Sequence, residues 1–378
     1  GPPAVCGWGT GSLSCVFPPR LNPHQVTVSW GLAGRWIPEF FLGGYTMPQH
    51  KTYLIVQPLV EEVLTMADAV AAVEKAFESY GEGRAQLPPK PYLQFPEGDL
   101  RCMPAYLPDI DMASVKNVNV HPGNTDLPTV MGTVTVFDPD TGFPLAIMDG
   151  TYLTAMRTGA AGGVAARHLA REDSAVASFI GAGVQAQTQL QALLETMPAV
   201  QTVLVHDVDP EEAESFCRYC SREYGLEAEV LGLSEVVAGA DVLTTVTPTR
   251  EPFVRLADLR PGTHINAIGA DAPGKQELEL NVLEEAKVVV DSWEQASHGG
   301  EINVAVDEGL IGQEDIHADI GQVVTGRKTG REKKEEITVF DSTGLAIQDC
   351  ACAAHVYRSL SGGEGREGLP MVDFLNGS

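Results

Sequence analysis

One short stretch, residues 175–190, constrains the fold of this chain more than any other. Its apolar run Val176–Ile180 has the length of a buried strand and leads into a Gly-x-Gly-x-x-Ala turn, which a helical pattern of leucines follows. In that turn Gly181 permits the tight bend, Gly183 lets backbone approach a pyrophosphate, and Ala186 lets the helix pack on the strand. The free N–H groups at the start of the helix would face phosphate oxygens. The stretch therefore predicts a Rossmann-type dinucleotide site.

The next acidic residue indicates which dinucleotide binds. A second predicted strand, residues 201–206, ends at Asp207, which lies 26 residues after Gly181. A carboxylate at this point can bind a ribose 2′-hydroxyl and repel a 2′-phosphate, which favours NAD over NADP. Asp207 could also be the N-cap of the helix that begins at Pro210, and the two roles are compatible. Arg250 and Arg255 keep NADP open as an alternative.

The order of predicted elements divides the chain into two domains. Strands and helices alternate over residues 165–339, which indicates a parallel sheet with right-handed crossovers. Before this region, turns at residues 97–98 and 140–142 join short strands into a β-rich domain behind a helix over residues 64–80. We therefore expect an α/β chain with a Rossmann domain at 165–339 and an α+β domain formed by 47–164 and 340–378. We also expect a crossing helix at 149–171, a helix at 315–325 and a loose tail after Ser361.

Residues 1–46 differ from the rest of the chain. They contain three of the four Trp residues and two Cys but no helical or alternating pattern, and the acidic bias of the remaining sequence is absent. Gly1-Pro2 resembles the scar of a protease tag, and Met47 is a candidate natural start. We expect an irregular arm, non-native if Met47 is the start. A signal peptide is the alternative, but no basic start precedes a continuous apolar core.

The charge balance excludes several classes of partner. The net charge is −26, from 51 acidic and 25 basic residues, which argues against nucleic acid and anionic membrane surfaces. No apolar run approaches the length of a membrane span. Only nine basic residues are Lys, and scarce Lys in an acidic chain is typical of proteins that stay soluble in concentrated salt. A halophilic source is our hypothesis, with an ordinary acidic cytosolic protein as the alternative.

The seven Cys residues are scattered, which suits a reducing cytoplasm. Cys217 and Cys220 have the Cys-x-x-Cys spacing, but they fall within a predicted helix and no second pair lies at zinc spacing. We interpret them as reduced helix residues and expect no metal site.

Three cations in the β-rich region are candidates for binding an anion. Lys90 follows two prolines, and Arg101 and Lys116 lie on predicted strands in a chain that has few cations. A buried Lys needs an anionic partner or a chemical role. Together the three could hold a substrate carboxylate. For any one alone, pairing with surface acids across the sheet is the alternative.

A fourth cation lies on the crossing helix. Arg157 and Thr158 are surrounded by small residues, so another backbone or a cofactor can come close. Arg157 could bind a carboxylate or a phosphate bidentately, and Thr158 could bond a phosphate. The alternative is tight helix packing with Arg157 at its rim.

Asp271 is the candidate acid–base group. It stands just past a predicted strand at residues 263–267, and ligands bind at this carboxyl edge of open α/β sheets. There it could take or give protons beside a nicotinamide. The alternative is a turn carboxylate that caps a helix after Pro273.

Taken together, these stretches resemble the ornithine cyclodeaminase and mu-crystallin family, and within it the archaeal alanine dehydrogenase branch, over residues 47–360. The motifs that carry the resemblance are PK at 89–90, GDLRCMPA at 98–105, KNVNVHPGN at 116–124, RTGAAGG at 157–163, GAGVQA at 181–186, GADAPGKQEL at 269–278, HGGEIN at 298–303 and FDSTGLA at 340–346.

The resemblance implies a homodimer joined through the β-rich domain, a Rossmann domain that binds NAD, and a set of site residues. The expected substrate-carboxylate residues are Lys90, Arg101, Lys116 and Arg157, and the expected acid–base pair is Asp271 with Lys116. The expected nucleotide-binding residues are Arg157, Thr158, Gly181, Gly183, Val184, Gln185, Asp207, Thr247 and Ser342. Lys90 stands where cyclodeaminases commonly have Arg, as it does in the archaeal branch. Because Lys cannot grip a carboxylate bidentately, this residue leads away from cyclodeaminase activity.

The implied activity is NAD-dependent oxidative deamination of a small amino acid, L-alanine to pyruvate and ammonia, and its reversal. A cyclodeaminase or a cyclic ketimine reductase would share the first chemical step. A non-catalytic binder of nucleotides or small ligands is the remaining alternative. The presence of both Asp271 and Lys116 argues against it.

Overall fold

The computed structural model describes residues 6–9, 12–15, 51–362 and 369–375. The chain divides into two units, Gly1–His50 and Lys51–Ser378. In the first unit β1 (Cys6–Gly9) pairs antiparallel with β2 (Ser12–Cys15), where we expected an irregular arm. Strands of four residues are too short to give a clear alternating pattern. The rest of the arm lies outside the described residues.

The second unit begins with a mostly antiparallel sheet, in which the carboxylate-binding candidates lie. Its strands in chain order are β3 (Thr52–Ile55), β4 (Tyr92–Phe95), β5 (Gly98–Leu107), β6 (Met112–Val120), β7 (Val130–Phe137) and β8 (Pro144–Asp149). Side chains on β5 and β6 alternate between buried and half-buried, the pattern of a sheet with one face on a core. Two helices, α1 (Gln57–Val63) and α2 (Met66–Gly81), precede the β-hairpins.

The long helix α3 (Thr151–Leu169) leads from this sheet into the second one. Its small residues let α4 (Val184–Thr196) approach closely, since a Cβ on Gly163 would lie 2.8 Å from the Cβ of Ala192. The nearest backbone to these small residues is therefore that of a neighbouring helix.

The second sheet has eight parallel strands. They are β9 (Val176–Ile180), β10 (Thr202–His206), β11 (Glu227–Val230), β12 (Val242–Thr245), β13 (His264–Ala267), β14 (Lys287–Val290), β15 (Ala318–Asp319) and β16 (Thr338–Asp341). Their spatial order is β11-β10-β9-β12-β13-β16-β14-β15. The order reverses between β9 and β12, and this switch point opens a crevice at the carboxyl ends of the strands. The predicted α/β fold with a Rossmann sheet is confirmed.

Six further helices connect these strands. They are α5 (Pro210–Tyr224), α6 (Leu233–Gly239), α7 (Leu280–Glu285), α8 (Trp293–Gly299), α9 (Asn303–Asp307) and α10 (Ile320–Val324). The helix predicted at 315–325 is wrong in its first half, because the N–H of His317 donates to the carbonyl of Val288 and β15 pairs with β14. Residues 318–319 therefore pair with β14 as a strand, although the spacing of apolar residues over 315–325 predicted a helix.

The chain then returns to the first sheet. Helix α11 (Ala346–Gly362) follows β16 and packs against β5 and β6. The predicted loose tail is partly wrong, since β17 (Met371–Val372) pairs antiparallel with β3. The N–H of Leu54 also donates to the carbonyl of Pro370 at 2.8 Å.

Three features of the described residues bear on the excluded classes. None of their helices is long and apolar enough to cross a bilayer. No group of three or more of their His, Cys, Asp or Glu side chains is arranged to hold a metal ion. Cys217 and Cys220 are free thiols on α5, and burial raises the pKa of Cys220 to about 12, which makes it a poor nucleophile.

Candidate active site

The turn after β9 has the shape of a phosphate cradle. Gly181 has a φ of +97°, and a Cβ there would lie 2.9 Å from Cγ2 of Val246, so a larger residue would be strained. Gly183 is the N-cap of α4, and a Cβ on it would meet no atom within 4 Å. Open space therefore lies in front of the helix start, where Val184 is 67% exposed and Gln185 follows. This loop fits the pyrophosphate of a dinucleotide.

Asp207 lies beside this loop. Its Oδ2 accepts a hydrogen bond of 2.8 Å from the N–H of Ala182, and its Oδ1 accepts one of 2.9 Å from the N–H of Asp209. The N-cap of α5 is Asp209, whose carboxylate accepts from the N–H of Glu211, so the N-cap alternative for Asp207 is wrong. The position at the end of β10 fits a partner for ribose.

Two more nucleotide candidates follow neighbouring strands of the sheet. Thr247 comes after β12, and its N–H and hydroxyl both donate to Oε1 of Glu277 at 2.7 Å. Ser342 follows β16 directly, and its N–H donates to the carbonyl of Ala267 at 3.1 Å. Both residues therefore lie at the carboxyl edge of the sheet.

Glu277 is a buried residue whose role the sequence did not reveal. Its second oxygen, Oε2, accepts from the hydroxyl of Thr245 at 2.7 Å and from the N–H of Gly269 at 3.0 Å. One carboxylate thus ties the loop after β12, with Thr247, to the loop after β13, with Asp271.

Arg101 on β5 points from the first sheet toward the second. Its Nε and Nη2 donate to the carboxylate of Asp99 at 2.8 and 3.1 Å, and its Nη1 donates to Oδ2 of Asp271 at 2.8 Å. The guanidinium lies over the ring of Tyr92, 5.4 Å from its centroid. These anions raise the pKa of Arg101 against its burial, so the group stays charged.

Asp271 is held between two cations. Besides Arg101, Nζ of Lys275 donates to its Oδ1 at 2.6 Å. Burial alone would raise the pKa of Asp271, but Arg101 and Lys275 outweigh it and lower this pKa to about 2. The capping alternative is wrong, because residues 272–275 form a turn and the next helix, α7, begins at Leu280.

Lys116 on β6 is fully buried. Its Nζ donates to Oδ1 of Asp349 at 2.7 Å and to the hydroxyl of Thr154 at 3.2 Å. Burial and the nearby charge of Arg157 lower the pKa of Lys116 to about 7, against the opposing effect of Asp349. This amine therefore changes protonation state near neutral pH.

Arg157 is buried rather than at the rim of the helix packing, so that part of the packing alternative is wrong. Its Nε lies 3.0 Å from Oδ1 of Asp349, and its Nη1 donates to Oε1 of Gln348 at 2.9 Å. The neighbouring Thr158 hydroxyl donates to the carbonyl of Thr154 within α3. Arg157 is oriented by α11, which returns from the second sheet.

Lys90 reaches the loop after β16. Its Nζ donates to the carbonyl of Thr343 at 2.9 Å, and Asp291 accepts from the N–H groups of Thr343 and Gly344 at 2.7 Å each. Burial lowers the pKa of Lys90 to about 8, with Asp291 opposing and Arg157 adding to the shift.

The structure brings two of the predicted site residues into direct contact, Arg101 and Asp271. Lys90, Lys116 and Arg157 lie near one another, because the charge of Arg157 lowers the pKa of both lysines and Lys90 lowers that of Lys116. Lys116 and Asp271 have different hydrogen-bond partners, so the expected acid–base pair makes no direct contact here.

Sequence reasoning missed Asp349, Lys275, Glu277 and Asp291 as members of this site. The sequence could have pointed to Asp349, because Gln348 and Asp349 interrupt a run of apolar and small residues on a predicted helix. A carboxylate on a buried helix face requires a cation. Lys275 lies four residues after Asp271, but no helix follows there to relate their positions.

Comparison with known proteins places this chain in a family. The sequence model of the ornithine cyclodeaminase/mu-crystallin family matches residues 50–364. The chain belongs to this family. Among the family's members, an alanine dehydrogenase of Archaeoglobus fulgidus is 53% identical over 311 residues, which cover 82% of this chain and 95% of that protein. The resemblance to this family and its archaeal alanine dehydrogenases is therefore confirmed.

Solved structures of family members have the same fold. A dimeric archaeal alanine dehydrogenase with bound NAD is 51% identical, with a TM-score of 0.82, and the match covers 86% of this chain and 99% of that one. The Δ1-pyrroline-2-carboxylate reductase of Thermococcus litoralis, in complex with NADH and L-proline, is 38% identical, with a TM-score of 0.80 and coverage of 82% and 98%.

Proposed function

We propose that this chain is an NAD-dependent dehydrogenase that converts L-alanine to pyruvate and ammonia and catalyses the reverse reductive amination. The observation that carries the proposal is the 2.8 Å contact between Arg101 of the first sheet and Asp271 of the second. A group that binds carboxylates and a group that exchanges protons thus meet at the carboxyl edge of a nucleotide-binding sheet.

The chain is an oxidoreductase, and NAD is its cofactor; structures of family members with NAD or NADH bound confirm the cofactor prediction. The residues that would hold it are Gly181, Gly183, Val184, Gln185, Asp207, Thr247 and Ser342, with Arg157 and Thr158 at the helix beside them. Asp207 favours NAD, because a carboxylate repels a 2′-phosphate. When bound, NAD+ accepts the hydride that leaves Cα of the amino acid, which becomes an imine.

The substrate carboxylate binds to the cationic group. Arg101 exchanges Asp271 for this carboxylate, and Lys90, Lys116 and Arg157 add positive charge around it. Such binding fixes Cα in one orientation, which is the chain's main contribution to the reaction. Loss of the Arg101 contact raises the pKa of Asp271 from about 2, so substrate binding turns a poor base into a better one.

Water must then add to the imine carbon. Asp271 accepts a proton from this water, and Lys116, with a pKa of about 7, delivers a proton toward the departing nitrogen. The sum is L-alanine, NAD+ and water giving pyruvate, ammonium, NADH and a proton.

The assembly is a homodimer, as in the archaeal relative, and the protein acts in the cytoplasm on a small amino acid or 2-oxo acid. The free thiols Cys102, Cys217, Cys220, Cys350 and Cys352 support a reducing compartment. Neither nucleic acid nor a membrane is a partner, because the net charge is −26.

A second candidate is a cyclic imine reductase or a cyclodeaminase. The similarity to the pyrroline-carboxylate reductase with bound L-proline favours it. In a cyclodeaminase the side-chain amine of the substrate adds to the imine carbon in place of water, a ring closes and ammonia leaves. A cyclic imine reductase adds a hydride and a proton to the C=N bond of its substrate and needs no water. The same Arg101 and Asp271 would serve in both reactions. A non-catalytic binder is disfavoured, because a binder would not need Asp271 poised beside Arg101.

The test is a panel of L-alanine, L-ornithine, L-proline and other amino acids with NAD+ and with NADP+, in low and in high KCl. Absorbance of the reduced nicotinamide gives the rate, and the products are identified. We expect pyruvate and ammonia from L-alanine with NAD+. Proline from ornithine would support a cyclodeaminase, and nucleotide binding without turnover would support a binder. Best activity without KCl would contradict a halophilic source.

A further inference from the structure

Helix α11 places a buried carboxylate between two of the substrate-site cations. Oδ1 of Asp349 lies 2.7 Å from Nζ of Lys116 and 3.0 Å from Nε of Arg157, and the side chain has no exposed surface. The neighbouring Gln348 accepts from Nη1 of Arg157 at 2.9 Å. One turn of α11 thus holds cations that come from a strand, β6, and from another helix, α3.

We propose that Asp349 is a positioning residue, which holds Lys116 and Arg157 together and keeps the Lys116 amine charged, so that both cations can bind the substrate carboxylate. This inference rests on the proposed function, because it assigns the two cations to that carboxylate. Asp349 itself is given no contact with the substrate, because as an anion it would repel the substrate carboxylate.

The hydrogen bonds of Asp349 show that its carboxylate does not hold a loop or a helix end in place. Its Oδ2 is buried and accepts no hydrogen bond from any described residue, and Oδ1 contacts only the two side-chain cations. By comparison, Asp291 and Glu277 accept from backbone N–H groups of loops. Asp349 therefore serves the cations rather than a loop or a helix end.

The charges around Lys116 require such an anion. The groups that face it are Arg157 and Thr154 from α3, Lys90 from the segment before β4, and Asp349 and the Cys352 thiol from α11. Of these, Asp349 carries the negative charge, while Arg157 and Lys90 repel a charged amine. A buried amine beside two cations and no anion would lose its proton.

The consequence is a defined dependence of substrate binding on pH. Lys116 has a pKa of about 7, with Asp349 acting to raise it, so binding of an anion weakens as the pH rises through this value. Asp349→Asn keeps the shape of the side chain and removes its charge, which lowers the pKa of Lys116 further. In this variant, binding of the substrate carboxylate should then begin to weaken at a lower pH than in the wild type.

The experiment measures the Kd of pyruvate for the enzyme–NADH complex by NADH fluorescence between pH 5.5 and 9, without ammonia. For Asp349→Asn we expect the weakening to begin about one pH unit lower, and the Kd at pH 7.5 to rise about tenfold. The Kd of NADH should stay within about twofold. Cys352→Ala, a neutral change on the same buried helix, is the matched control and should leave the pyruvate profile unchanged.

Asp349→Glu keeps the charge and should restore the wild-type pH profile at least in part, which a purely structural role would not predict. This variant also tests the inference if Asp349→Asn fails to fold. An unshifted profile in Asp349→Asn, or a profile in Asp349→Glu that matches a neutral variant, would overturn it.

The outcome separates this inference from the proposed function. Pyruvate binding with the predicted shift, but no NADH oxidation when ammonia is added, would overturn the proposed function alone. A wild-type complex that binds none of pyruvate, L-alanine, L-ornithine and L-proline would overturn both.

Discussion

Nη1 of Arg101 lies 2.8 Å from Oδ2 of Asp271, and this ion pair connects the two sheets of the chain across the crevice. Arg101 comes from the antiparallel sheet, and Asp271 follows β13 of the parallel sheet. A third member, Lys275, holds the other oxygen of Asp271 at 2.6 Å. Asp271, the proposed base, is therefore paired with Arg101, the proposed ligand of the substrate carboxylate.

Replacing Asp271 by Asn should nearly abolish turnover. The amide keeps the size of the side chain and can still accept from Arg101, but it cannot take a proton from water. We expect kcat to fall about 10²- to 10⁴-fold, the usual contribution of a general base. Nucleotide titration should give an unchanged Kd for NAD+. Wild-type turnover in this variant would remove Asp271 from the mechanism.

Replacing Arg101 by Ala should mainly weaken substrate binding. A charge-assisted hydrogen bond contributes about 1.5–3 kcal/mol, so we expect the KM of the amino acid to rise about 10- to 150-fold. Steady-state kinetics with varied L-alanine give the value. Arg84→Ala is the control, because Arg84 is an exposed Arg that pairs with Asp109. An unaltered KM in the Arg101 variant would exclude it from carboxylate binding.

Replacing Asp207 by Ser should change the choice of nucleotide. Removal of the carboxylate ends the repulsion of a 2′-phosphate and loses a ribose contact, so NAD+ should bind more weakly and NADP+ more tightly. The ratio of the two Kd values, measured by titration, is the readout. Asp209→Ser removes a charge two residues away and keeps a capping hydroxyl, so it should leave the ratio as it was. An equal change of the Kd ratio in both variants would mean that the net charge, and not the position of Asp207, determines the choice of nucleotide.

Replacing Asp341 by Asn should stabilise the fold at alkaline pH. Asp341 is fully buried on β16, and burial, with the charge of Asp291, raises its pKa to about 8. The folded state therefore holds a proton that the unfolded chain releases near pH 4, and the contribution of Asp341 to wild-type stability falls as pH rises from there to about 8. Asn stays neutral throughout. The gain in Tm over wild type should be larger at pH 9 than at pH 5, and an equal difference at both would contradict this.

Much of the Rossmann half could be predicted, because its signals are local. The Gly-rich turn, the strand before it and Asp207 lie within one βαβ unit, where sequence spacing is also spatial spacing. The short β15 could not be predicted, since its pairing with β14 depends on a strand 29 residues earlier in the chain.

For the cationic part of the site, the sequence predicted the individual cations but not how they are held. The sequence marked Lys90, Arg101, Lys116 and Arg157 as unusual cations, yet not their partners. Asp349 lies 233 positions after Lys116 along the chain, and Thr343 lies 253 after Lys90. Such pairs form only when α11 and the loop before it return to the first sheet, which no local pattern encodes.

A crystal structure of the protein with NADH and pyruvate tests the central claim most directly. We predict that the pyruvate carboxylate contacts Arg101 and that the 2.8 Å hydrogen bond from Arg101 to Asp271 is gone, with Asp271 facing the keto carbon. Pyruvate bound away from Arg101, with the Arg101–Asp271 pair intact, would contradict it.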